Sequence, residues 1–164
     1  AEGGKIGDSL LEADKIDLAK EFMAKGAGKL FLPVDTVEAN AFDNATEIRT
    51  VKAGAVDDGF QGLDIGPESV ELFKKELEGA KTVFWNGPMG VFEKPEYAKG
   101  TVAVCEAIAN LEGATTIIGG GDSASAAKNL GFADKFSHIS TGGGASLEFM
   151  EGKELPGVAI IPEK

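Results

Sequence analysis

Three times along this 164-residue chain a short apolar run gives way to a cluster of glycines. The runs cover residues 82–85, 115–118 and 138–140. They lead into Trp85-Asn86-Gly87-Pro88-Met89-Gly90, Gly119-Gly120-Gly121-Asp122-Ser123 and Thr141-Gly142-Gly143-Gly144-Ala145-Ser146. Helical spacing fills the intervals. Pro67 stands where a helix takes its first residue, with Val70, Phe73 and Leu77 on one face. Pro95 opens another helix, with Val102, Cys105, Ile108 and Ala109 inward. A third runs from 122 to 130, closed by Gly131, and a last from 145 to 150, closed by Gly152. Strands alternating with helices at this interval predict βαβ units and a parallel sheet, hence an α/β fold. Crossovers in such units are right-handed, so the strand C-termini share one edge.

The first third is less regular. Ile16, Ala19, Phe22 and Met23 mark a helix over 12–25, and residues 29–34 read as a buried strand before the turn-prone Asp35-Thr36. Between 38 and 60, Asn40, Asp43, Asn44, Gly54, Asp57, Asp58 and Gly59 interrupt any period. Only 47–53 alternates like a short exposed strand.

Ligands of an open parallel sheet bind outside the strand C-termini, which is where all three glycine turns belong. Two of the turns also open helices, whose first amides lack intrahelical partners and carry partial positive charge. Any one triple glycine is plainly read as a tight turn; three on one edge favour a phosphate site. The net charge of −11 requires such a local device, and it argues against a nucleic-acid partner. Asp122 can serve as an N-cap, as a carboxylate for Mg²⁺ beside phosphates, or as both. Gly3-Gly4-Lys5 lacks the Walker A spacing, and no GxGxxG with an acidic partner is present, which argues against a dinucleotide oxidoreductase.

One cysteine, Cys105, excludes an internal disulfide framework and suits a reducing compartment. No apolar run reaches the roughly 20 residues of a membrane helix, and the start at Ala1 has neither a basic segment nor an apolar core of a signal peptide. A cytoplasmic location without membrane contact is expected. Trp85 and Cys105 read as core packing, and His138 as a structural histidine at a strand or domain junction.

Four segments together resemble the C-terminal domain of phosphoglycerate kinase: Gly62-Leu63-Asp64-Ile65-Gly66-Pro67; Trp85-Asn86-Gly87-Pro88 with Gly90-Val91-Phe92-Glu93; Ile118-Gly119-Gly120-Gly121-Asp122-Ser123; and 137–146. The likeness runs through all 164 residues, and the ending at Glu163-Lys164 resembles the terminus of a bacterial member. The resemblance implies a Rossmann-like three-layer αβα fold with a mostly parallel sheet. It implies a glycolytic kinase (a transferase) that moves a phosphoryl group between 1,3-bisphosphoglycerate and MgADP, giving 3-phosphoglycerate and ATP. It further implies that Leu10, Gly62 and Leu63 line an adenine slot and that Pro88 and Glu93 hold the ribose. Asn86 touches the phosphates, Gly120, Gly121 and Ser123 cradle them, and Asp122 holds Mg²⁺. Gly142, Gly143 and Gly144 face the phosphoryl group in flight. Ser123 stands where many family members carry Thr, and the hydroxyl is retained. From the residues alone, Leu10 and Leu63 read equally as core, and Glu93 as a solvated carboxylate near a helix start.

By the same resemblance, residues 1–164 form an incomplete C-terminal nucleotide-binding domain, without the N-terminal domain that binds 3-phosphoglycerate. Its first two βα units, which carry the phosphate-gripping lysines, are also lacking. The chain alone is therefore expected to be inactive, operationally close to a non-catalytic nucleotide-binding module, whereas the full-length enzyme is monomeric. With a strand order resembling 3-2-1-4-5-6, residues 29–34 and 82–85 lose the two strands between them, about 14 Å of sheet. Pairing with the missing segment or with another copy is expected to cover them.

Overall fold

A computed structural model describes residues 1–162. They fall into two compact units, one of residues 1–76 and 89–104, the other of 77–88 and the chain from 105 onward. Each is described by itself.

The first unit holds β1 (Lys5–Ile6), α1 (Ile16–Lys25), β2 (Asp35–Ala39), β3 (Ile48–Lys52), β4 (Ala55–Val56), β5 (Gln61–Ile65) and most of α2 (Pro67–Leu77). Its main sheet has the order β3-β2-β5 and is antiparallel throughout, in contrast to the parallel sheet read from the pattern. A short connection explains this: β2 and β3 are too close in sequence to admit a crossover helix, so they form a hairpin. Its core is small, with Ala39, Leu63 and Tyr97 buried against Val37, Ala45 and Val91.

The strand expected at 29–34 does not form. Pairing begins only at Asp35, and Leu30, Phe31, Leu32 and Val34 are 44–45% exposed. Apolarity alone does not make a strand, because the extended backbone needs a neighbour for its N–H and C=O groups. The helix expected over 12–25 forms as a 3₁₀ turn, Ala13–Lys15, followed by α1.

The segment that does pair, β2, buries two carboxylates, against the usual preference of charged groups for water. Asp35 caps α2 from the neighbouring strand: Oδ2 accepts from the Glu68 amide at 2.9 Å and Oδ1 from the Ser69 amide at 2.8 Å. Glu38, fully buried, accepts from Arg49 Nε at 2.6 Å and from the Asp57 amide at 2.9 Å. Burial alone would raise the Asp35 carboxyl, but bonds from Ser69 and the Glu68 amide hold it below its ordinary 3.8. An acid with a lowered folded pKa stabilises the fold fully above 3.8, and that contribution is lost as pH falls through the folded value. Asp35→Ala is expected to cost about 2–3 kcal/mol at pH 7, since it orphans a helix start and a buried serine. Urea unfolding at pH 7 and at pH 3 checks this, and the difference between variant and parent should shrink at the lower pH.

The second unit carries a parallel sheet in the order β6 (Thr82–Trp85), β7 (Thr115–Gly119), β8 (His138–Ser140). Val83 pairs with Thr116, and Ile117 with His138. Helix α3 (Lys99–Ala109) leads toward β7, α4 (Gly121–Asn129) joins β7 to β8, and α5 (Gly143–Met150) follows β8. A short helix α6, Pro156–Ala159, was not legible in the pattern. Strand β6 is an edge of its sheet, with β7 as its single partner among the described residues.

Trp85 is 4% exposed and stacks on Phe136 at 6.0 Å between ring centroids, in keeping with the core role expected of it. Cys105 is fully buried, and burial, with Glu106 adding repulsion, pushes its thiol up to about 11. Thiolate is the reactive form, so Cys105 should resist 5,5′-dithiobis(2-nitrobenzoate) at pH 8 and react fully once the chain is unfolded in urea. His138 opens β8 as an exposed residue. Among the described residues no helix is long and apolar enough to cross a membrane.

Candidate functional site

In the second unit the glycine turns after β6, β7 and β8 converge on one side chain, Asn86. A Cβ on Gly143 would stand 2.8 Å from Gly120 Cα and 2.9 Å from Asn86 Oδ1, and a Cβ on Gly120 would stand 3.1 Å from the same oxygen. Only glycine permits this approach of three loops. Gly120 needs to be glycine for a second reason: its φ of 90° lies where side chains are disfavoured. Its amide donates to Ser140 O at 3.0 Å, which ties the β7 loop to the end of β8.

Gly120 also occupies the N-cap of α4, and Gly142 that of α5, neither with a side-chain capping bond. Asp122 is therefore not the cap it was expected to be. The turn at Gly120 brings the chain into helix one residue early and leaves Asp122 in the first turn, exposed, with no hydrogen bond or ion pair among the described residues. Likewise α5 starts at Gly143 rather than at 145. Two helices thus end in uncapped glycine amides on the edge where their strands end, with one carboxylate beside them. Partial positive charge at such ends favours an anion.

Ser123 faces inward. It is 1% exposed, and its hydroxyl accepts from the Gly87 amide at 2.7 Å, so it locks the β6 loop to the start of α4. The indole of Trp85 donates to Gly87 O at 2.7 Å and fixes the same loop from the other side. Neither link was legible from spacing. Pro88, half-buried, follows in the same loop, and Gly121 and Gly144 have open space where a Cβ would lie. Among the described residues no group of three His, Cys, Asp or Glu is arranged to hold a metal, so Asp122 stands as a single candidate ligand.

The remaining predicted residues lie in the first unit. The Gly62 amide donates to Ser9 Oγ at 3.0 Å, which joins β5 to the segment leading to Leu10. Leu10 itself is fully exposed, while Leu63 is 8% exposed and part of the core, its carbonyl accepting from the Val91 amide at 3.0 Å. Glu93 is exposed on the segment that begins at Met89.

A family model described as phosphoglycerate kinase matches residues 1–153. The phosphoglycerate kinase of Macrococcus caseolyticus is 65% identical over all 164 residues, and that of Listeria monocytogenes serotype 4b is 64% identical. The chain spans 41% of the length of either relative. A solved structure of phosphoglycerate kinase from Coxiella burnetii matches with a TM-score of 0.88 at 39% identity, covering 97% of this chain and 42% of that one. The enzyme from Pyrococcus horikoshii matches with a TM-score of 0.76 at 34% identity, covering 89% and 36%. Together with the strand–helix units above, these likenesses establish the Rossmann-like three-layer αβα class read from the sequence. The chain belongs to the phosphoglycerate kinase family.

Proposed function

We propose that this chain supplies the nucleotide side of a glycolytic phosphoglycerate kinase. The reaction is reversible phosphoryl transfer between 1,3-bisphosphoglycerate and MgADP, giving 3-phosphoglycerate and ATP. One observation carries the proposal: three glycine loops meet around Asn86 at two uncapped helix starts, with Asp122 exposed beside them. Phosphoryl transfer asks little covalent help of a protein; it asks for alignment and for stabilised oxygens.

In this reading the Gly121 amide and the Asn86 side chain hold the nucleotide phosphates, and Gly120, whose own amide is bound to Ser140 O, brings the loop close to them. Ser123 fixes the loop that carries Asn86 and closes the cradle from behind. Gly143 and Gly144 turn their amides to the transferring group, donors that strengthen as charge spreads over its oxygens, while Gly142, whose amide donates to Ser140 Oγ at 3.3 Å, lets the chain come close. Gly62 and Leu63 offer backbone to the adenine, Leu10 an apolar side chain, and Pro88 and Glu93 contact the ribose. The donor set fits Mg²⁺, which takes one or two carboxylates plus phosphate oxygens, with Asp122 the carboxylate. When bound, the ion supplies neutralisation of phosphate charge. The acid 3-phosphoglycerate is assigned to a part of the protein outside this chain, in keeping with the 41% coverage of its relatives. On that basis the chain is an incomplete C-terminal nucleotide-binding domain of a cytoplasmic, monomeric enzyme.

Calorimetric titration of the isolated chain with ADP, with and without Mg²⁺, tests the binding half. Weak binding that improves with Mg²⁺ is expected; binding indifferent to the metal would overturn the assignment of Asp122. A coupled assay with 3-phosphoglycerate and ATP should show no turnover by the chain alone. Turnover that scales with the chain and vanishes in Asp122→Ala would overturn the division of labour.

A further inference from the structure

The segment Met89–Glu93 is held by groups that no motif announced. Thr101, on the first turn of α3, is fully buried, and its Oγ1 accepts from the Met89 amide at 3.0 Å and from the Gly90 amide at 3.3 Å. Asp64, on β5 and 6% exposed, accepts from the Gly100 amide at 2.8 Å and from its own following amide, Ile65, at 2.9 Å. It thereby fixes the start of α3 and with it the position of Thr101. Gly90 packs so tightly against the Asp64 carboxylate that a Cβ there would overlap it, and that Cβ would stand 2.7 Å from Leu63 O. One residue on, the Val91 amide donates to that same Leu63 carbonyl at 3.0 Å. The Lys94 amide closes the turn on Val91 O at 3.1 Å. With the Phe92 amide donating to Gly90 O at 2.9 Å, the four consecutive amides from Met89 to Phe92 are committed before the chain reaches Glu93, whose own side chain is exposed and makes no hydrogen bond or ion pair among the described residues.

A buried hydroxyl that accepts two amides is costly to lose, because both donors are left dry. No helix interior needs a threonine here, since Thr is a poorer helix former than Ala or Leu. We infer that Thr101 and Asp64 are positioning residues, a buried polar bolt that sets Glu93 for the ribose of the nucleotide. The inference rests on the ribose role of Glu93 given under the proposed function. It adds the device that makes a solvent-exposed glutamate a defined contact: a side chain with several free torsions binds well only when its Cα is fixed.

The test uses a full-length kinase carrying this sequence, with ADP and 2′,3′-dideoxy-ADP as paired substrates. Glu93→Ala should abolish the preference for the hydroxylated ribose. Thr101→Val keeps shape and removes the one oxygen that accepts both amides; it should raise KM for ADP about five- to tenfold, the scale of one or two modest hydrogen bonds, and hold kcat. It should also collapse the ribose preference as Glu93→Ala does, and Thr101→Ser should restore both. Gly90→Ala, which pushes the loop off the Asp64 carboxylate, should reproduce the valine phenotype and decides the matter if the valine variant does not fold. If Glu93→Ala leaves the preference intact, the ribose role falls and the positioning role with it. If Glu93→Ala abolishes the preference but Thr101→Val and Gly90→Ala only lower the melting temperature, the ribose role stands and Thr101 is a packing residue.

Discussion

Replacing Asp122 with Asn in a full-length kinase carrying this sequence should lower kcat by about 10²–10³-fold, the cost of removing one group that stabilises transferring charge. The folded state should hardly notice. Asp122 caps nothing, since Gly120 occupies the N-cap, and it has no partner among the described residues whose loss would be felt. The melting temperature should therefore move by no more than about 2 °C, as for an ordinary surface substitution. Steady-state kinetics across a Mg²⁺ series, paired with thermal melts, decides the point. A melting temperature several degrees lower with kcat nearly intact would show that the carboxylate serves the helix and not the nucleotide.

Gly143→Ala is expected to be comparably damaging by a different route. The new methyl would meet Gly120 Cα at 2.8 Å and Gly120 N at 3.0 Å, backbone atoms that cannot swing away, and Asn86 Oδ1 at 2.9 Å. The β7 and β8 loops must part, and the amides of both helix starts leave the position proposed for the phosphates. A displacement of about 1 Å in a positioned site can cost about 10²-fold in rate. Overpacking adds about 1–3 kcal/mol of destabilisation. Gly144→Ala is the matched control, because open space surrounds its Cβ position. Equal turnover in the two variants would mean that the approach of the loops is incidental to catalysis.

These expectations show which parts of the molecule were open to a reader of the sequence. Strands β6, β7 and β8 were legible because apolar runs ended in glycine clusters, and the shared edge of the three turns followed from strands of one parallel sheet; their approach to Asn86 was not legible. Of the antiparallel strands of the first unit, β3 was legible in the alternation of 47–53, whereas β2 and β5 were not. Strand β2 buries Asp35 and Glu38, and a hydrophobicity pattern scores both as surface; their solvation is replaced by a helix start and by Arg49, partners that only the fold brings near. Residues 29–34 misled in the opposite direction, with the apolarity of a core strand but no strand to pair with among the described residues. At the site, the glycines and Asp122 were marked by motif. Ser123 was named for its hydroxyl, but its direction, toward Gly87, was hidden. Thr101 gave no signal at all, since a threonine in an amphipathic helix is unremarkable until its hydroxyl is seen between two amides.

The helices of this chain are finished in two ways. Helix α2 is sealed by the protein's own carboxylate, Asp35, whereas α4 and α5 stop at bare glycine. The open ends leave amides without partners in the helix, and under the proposed function the phosphates that meet them become part of the fold for as long as they stay. Substrate occupancy and conformational stability are then one quantity measured two ways, since a ligand that binds only the native state raises stability with its concentration. It follows that selection cannot optimise the two independently. A serine or aspartate at Gly142, where φ is −89° and a side chain has room, would cap that end permanently and make a sturdier protein that binds the proposed phosphates less well.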